Sequence, residues 1–174
     1  MAHNIQEGYI PFKGYQTWYR IVGDGEEAID VQATLLKHEN TGTTDSQEYQ
    51  DAMKAFYDRH VCRVSYPEYV ERSFDQVIQY PEVYNVMNGP SEFHVVGKIK
   101  NRDVRHRPGE IHAPAPVTSG RYDEATPLIA ETVHKGITGS EWVIFENSSH
   151  LAHVEEAERY MRVLTEFISQ YDNQ

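Results

Sequence analysis

The chain has 174 residues, 39% of them hydrophobic and 25% charged, which is enough for one globular domain with a real core. With 27 acidic against 16 basic side chains its net charge is −11, so general binding to nucleic acid or an anionic membrane is disfavoured by repulsion from the phosphates. The single cysteine, Cys62, excludes an intrachain disulfide and a cysteine zinc cage, and no apolar run approaches membrane-spanning length.

The first residues, "MAHNIQEGYIPF", lack the basic start and apolar core of a signal peptide, and the chain is expected to be cytoplasmic. Residues 9–22, "YIPFKGYQTWYRIV", are aromatic and β-branched and are broken by Gly14, which predicts a β-hairpin ending in the turn "GDGEE". Residues 27–86 then change character. "AIDVQATLLKHE" sets Val31, Leu35 and Leu36 at helical spacing, and "QEYQDAMKAFYDRHV" does the same with Tyr49, Met53, Phe56 and Tyr57. Asp45 or Ser46 is the expected N-cap of the second helix, and Pro67 opens a further helix over 67–79.

From residue 93, "FHVVGKI" reads as a strand or extended segment, and "GEIHAPAPVTSG" as a connection into a short strand. "TPLIAETVHKGI" predicts a helix with Thr126 as N-cap and Pro127 at its first position. "EWVIF" is a compact buried-type strand. In residues 154–171 Val154, Ala157, Tyr160, Met161, Leu164, Phe167 and Ile168 repeat on one helical face. Strand, helix, strand, helix is the order of a parallel α/β sheet.

In such sheets chemistry gathers at the carboxyl ends of the strands. Two loops fall there: "SGRYDEATP" and "ENSSHLAHVEE". If the strands are parallel neighbours, Asp123 and His150 reach one rim. A carboxylate that accepts the Nδ1 proton of a histidine fixes its tautomer and supports the imidazolium. An acid loop followed one strand later by a histidine loop is the chain order of hydrolases with an elbow serine. A lone Asp after a strand is ordinarily a turn residue, and a lone loop His is ordinarily solvated; the two in this order point to a catalytic pair. His150 and His153 form H-x-x-H, but no helical H-E-x-x-H and no third ligand accompany them, so no metal is expected. Glu155 and Glu156 suit the positive end of the last helix.

"VMNGPSEF", "SGRYDEATP" and "SEWVIFENSSHLAHVEE" together resemble the proline iminopeptidases, α/β-hydrolase aminopeptidases that remove an N-terminal proline. The opening hairpin and "VQATLLKHENTGTTDSQEYQDAMKAFYDRHVCR", similar to the family's helical cap, extend the resemblance over nearly the whole chain. It implies three parts: 1–26 as the N-terminal hairpin, 27–92 as the cap, and 93–174 as the C-terminal hydrolase core. It implies Asp123 as triad acid, His150 as triad base, and Glu92 and Glu124 as the carboxylates that bind the substrate's free ammonium. Two adjacent carboxylates, Asp123 and Glu124, are tolerable when each has its own positive partner. A peptide with a free N-terminal proline is the implied substrate, and no cofactor is implied.

The chain departs from the family where a serine should stand. None of the nine serines lies in G-x-S-x-G, and no H-G-G-P-G-type oxyanion segment is present. The family places these between its hairpin and its cap, where this chain has only the join near residues 24–29. The expected fold is therefore α/β, a truncated α/β-hydrolase-like sheet with an N-terminal hairpin and a helical cap. The chain is expected to be inactive alone. The alternative is a non-catalytic binding or assembly partner that associates through exposed sheet edges.

Overall fold

The computed structural model describes residues 5–12, 15–22, 31–91 and 94–171. The hairpin is present: β1 (Ile5–Phe12) and β2 (Tyr15–Val22) pair antiparallel, with Phe12 opposite Tyr15. The expected "GDGEE" turn lies outside the described residues.

Helices follow as the spacing predicts. In α1 (Val31–Thr41) and α2 (Gln47–His60), Leu35, Tyr49 and Ala52 form a buried cluster with Val31 and Met53 at its margin. Leu36, expected on the same face as Leu35, is exposed. Gly42 adopts φ 69°, which lets the Thr43 N–H turn back to the His38 carbonyl at 2.9 Å and close α1. Ser46 is the N-cap of α2, and its hydroxyl accepts from the Tyr49 N–H. A buried His38 ties the connection together: Nδ1 lies 2.7 Å from Thr43 Oγ1, and Nε2 lies 3.0 Å from Glu48 Oε2. Pro67 caps α3 (Glu68–Gln79), and α4 (Glu82–Met87) follows at once.

"FHVVGKI" forms no strand across its described part, residues 94–99. Its amides bond instead to the end of α4: Val96 and Gly97 to the Asn88 carbonyl, Lys98 to Val86 and Ile99 to Met87. Gly97 makes this possible, since a Cβ there would run into the Met87 and Asn88 backbone.

The sheet is small. β3 (Pro116–Gly120) and β4 (Glu141–Phe145) are parallel, Pro116 opposite Glu141 and Gly120 opposite Phe145. Parallel neighbours need a crossover, and α5 (Pro127–Gly136) supplies it and packs on both. Thr126 is its N-cap and Pro127 opens it, as the sequence predicts. Pro116, which cannot donate to a ladder, sits at the first strand position. The last helical stretch is broken: α6 (Ala152–Glu155) stops at Glu156 and α7 (Ala157–Tyr171) starts beyond it. No residue of α7 is fully buried; Met161 and Ile168 on its apolar face are exposed. This is an α/β chain with a sheet smaller than its helices could cover.

Candidate active site

The parallel pairing brings the ends of β3 and β4 side by side, so the loops that follow them share a rim. The two loops are joined by their backbones. The Phe145 carbonyl accepts from the Arg121 N–H at 2.9 Å and the Ser148 N–H at 3.2 Å, and the Ser148 carbonyl accepts from the Tyr122 N–H at 3.0 Å. Gly120 permits this contact. A Cβ on it would overlap the carbonyl oxygens of Ser148 and Ser149. Outside the zipper, Arg121 and Glu146 form a two-point ion pair, Nε–Oε2 2.7 Å and Nη2–Oε1 2.6 Å.

Asp123 is buried, and its Oδ1 accepts from the Ala125 N–H at 2.8 Å, the local turn that this residue type favours. The same oxygen lies 3.0 Å from His150 Nδ1. An ionised carboxylate only accepts, so Nδ1 carries the proton and donates. The basic lone pair of the ring is then on Nε2. The His150 side chain is 46% exposed against 8% for Asp123: the acid is sheltered and the base meets solvent. A histidine held this way can take and return a proton.

Glu155 and Glu156 do more than face a helix end. Glu155 Oε2 accepts from Ser149 N–H at 2.7 Å and Ser149 Oγ at 2.8 Å. Glu156 Oε2 accepts from Asn147 N–H at 3.0 Å and Ser148 Oγ at 2.7 Å. The break before α7 is what turns Glu156 toward the loop. Both serines are fully buried, so these carboxylates fix the loop that carries His150.

Burial pushes the Glu156 carboxyl up, but the Ser148 hydroxyl, the Asn147 N–H and Arg159 outweigh it and hold it below the usual carboxylate range. A lowered native value contributes stability that is present above the unfolded pKa, about 4.3, and is lost as pH falls through the native value. Acid titration below about pH 4.3 is therefore expected to weaken the histidine loop. In Glu156→Gln the same acid loss should be smaller, read by amide exchange at Ser148 and Ser149.

Four serine hydroxyls of this part of the chain have other partners. Ser119 is buried and its Oγ accepts from Trp142 Nε1 at 3.1 Å. Ser148 and Ser149 donate to glutamates, as above. Ser140 pairs with His134 Nδ1 at 2.8 Å, at the opposite end of β4. Cys62 is buried and its thiol is pushed up by desolvation, the reverse of an activated thiolate.

Glu124 follows Asp123 and is half-buried; its N–H donates to the His60 carbonyl at 3.3 Å. Glu92 lies outside the described residues. Its neighbour Ser91 is buried, with Oγ 3.1 Å from Tyr49 Oη. Among the described residues no three His, Cys, Asp or Glu side chains gather as a metal cluster, and no helix is long and apolar enough to cross a membrane.

No family model matches the chain. Individual proteins do. The proline iminopeptidase of Saccharolobus solfataricus is 43% identical over 147 residues, 83% of this chain and 47% of that protein. The proline iminopeptidase of Heyndrickxia coagulans is 38% identical over 142 residues, 81% of this chain and 49% of that protein. The chain is a relative of the proline iminopeptidases. Its fold agrees. The crystal structure of the proline iminopeptidase of Mycobacterium smegmatis matches with a TM-score of 0.74 at 38% identity, over 82% of this chain and 48% of that one. The crystal structure of VinJ matches with 0.76 at 43% identity, over 82% and 48%. Both are α/β-hydrolases. The chain spans about half the length of the relatives it matches.

Two features of the site go beyond what the sequence predicts. One is the reach of Glu155 and Glu156 into the serine pair. The other is the end of α2, whose His60 carbonyl accepts from Glu124 N–H and, at 3.2 Å, from His150 N–H. A paired "EE" after "SSH" was a usable signal for the first. The second runs through a main-chain oxygen, which leaves no residue-type signature.

Proposed function

We propose that this chain carries the acid–base half of a proline iminopeptidase site, and that it does not hydrolyse peptides alone. In this reading Asp123 orients His150, His150 would shuttle the proton of an attacking serine, and Glu124 with Glu92 would hold the cationic end of an N-terminal proline. Residues 27–92 would form the helical cover. The observation that carries the reading is the 3.0 Å Asp123–His150 hydrogen bond at the ends of two parallel strands. An acyl-enzyme needs a nucleophile as well, and no elbow serine stands in the 174 residues. What the chain retains under this proposal is recognition of a cationic imino terminus.

Binding tests that directly. L-Prolinamide titrated into the chain is expected to shift the amide resonances of residues 122–125 saturably. Glu124→Gln should weaken binding about tenfold, the loss of one charge-assisted contact. N-acetylprolinamide, which has no cation, should not bind. Equal binding of the two amides would overturn the reading.

A further inference from the structure

The end of α2 touches both loops of the site, although it is remote from them in sequence. We propose that the segment His60–Arg63 is a clamp that sets the Asp123–His150 hydrogen bond, with His60 and Arg63 as positioning residues; the proposal rests on the acid–base reading above.

The His60 carbonyl is shared. It accepts from the Glu124 N–H at 3.3 Å and the His150 N–H at 3.2 Å, one residue from each loop. The next carbonyl, of Val61, accepts from the Leu151 N–H at 3.0 Å. The His60 ring adds Nδ1–H to the Tyr122 carbonyl at 2.8 Å, the residue before Asp123. That ring is itself held against Phe56, with centroids 4.8 Å apart. Arg63 repeats the pattern. Its guanidinium lies 4.0 Å from the Tyr122 ring centroid, and Nη1 donates to the Asn147 carbonyl at 3.2 Å. Its main-chain N–H donates to Glu155 Oε1 at 2.8 Å, the same carboxylate that holds Ser149.

Each contact alone is modest. Their arrangement is specific: the acid loop and the histidine loop are bonded to one rigid helix end, so their separation is set by α2 as well as by the sheet. Backbone groups carry half the clamp, and the His60 and Arg63 side chains carry the half that mutation can remove. A helix end that spaces the pair also ties the site to the helical region.

The test reads the pair itself in the full chain. The side-chain Nδ1 proton of His150 is observed by nitrogen-edited NMR and assigned by its loss in His150→Gln. In His60→Ala/Arg63→Ala its exchange with water is expected to rise about tenfold, the effect of losing one net hydrogen bond's worth of restraint. His60→Asn, whose side-chain amide can replace the Nδ1–H donor, should restore most of the protection. An unchanged exchange rate in the double variant overturns the clamp. Should the double variant lose its amide dispersion, Arg63→Ala alone decides, with a rise of about threefold expected and no change overturning the proposal. Asp123→Ala separates the two ideas: a protected His150 proton in that variant would sink the acid–base pair, whatever the clamp variants do.

Discussion

Phe145→Ala is expected to destabilise the chain by about 3–5 kcal/mol, the range for removing a buried aromatic ring. Phe145 has no exposed surface and ends β4. Its ring lies 5.5 Å from that of Tyr160, and the Arg159 guanidinium sits 4.8 Å from its centroid. Arg159 also donates to the Ile144 carbonyl at 3.0 Å, so the ring is packed between strand and helix. Among the described residues few large apolar side chains are as buried, so little else there can fill the space. Domains are stable by only about 5–15 kcal/mol, and this loss is a large share of that. A urea titration reads it as a lower midpoint, and a change under about 1 kcal/mol would show that the ring is not the anchor. The histidine loop should loosen first, since its backbone hangs on the Phe145 carbonyl.

Gly120→Ala comes next. A methyl there meets main-chain oxygens of Ser148 and Ser149 rather than a side chain that could swing away. The two loops must part or the strand end must shift. Overpacking of this kind costs about 1–3 kcal/mol, and here the displaced backbone carries His150. The expected result is a destabilised chain in which the His150 Nδ1 proton is no longer protected. Gly139, where φ is 76° and a Cβ would meet nothing within 4 Å, is the contrast. Gly139→Ala carries only backbone strain and should leave the site signal intact. Equal loss of the His150 signal in both variants would contradict the steric account.

These sites also show what a residue pattern can and cannot convey. "EWVIF", the Thr126–Pro127 helix start and the Ser46 cap were readable because local chemistry decides them: β-branched runs, fixed proline φ, a side-chain oxygen over free N–H groups. The acid and histidine loops were readable because parallel strands put their ends on one rim. The strand alternative for "FHVVGKI" fails because strand propensity needs a neighbouring strand, and the residues described there bond to the end of α4 instead. The helix expected over 154–171 is present from Ala157 to Tyr171 and is interrupted only at Glu156, which accepts from Asn147 and Ser148. Its apolar face has the expected spacing but is only partly covered, and Met161 and Ile168 stay exposed. The clamp at His60 was illegible, since a carbonyl looks the same on every residue.

The measurement that bears most directly on the central claim is hydrolysis of a fluorogenic proline amide by the purified, folded chain, with His150→Ala beside it. No hydrolysis above that of the variant is expected, because an oriented histidine without a nucleophile forms no acyl-enzyme. Turnover by the chain that disappears in His150→Ala would overturn this expectation, and would mean that a nucleophile reaches His150 from another residue of the chain.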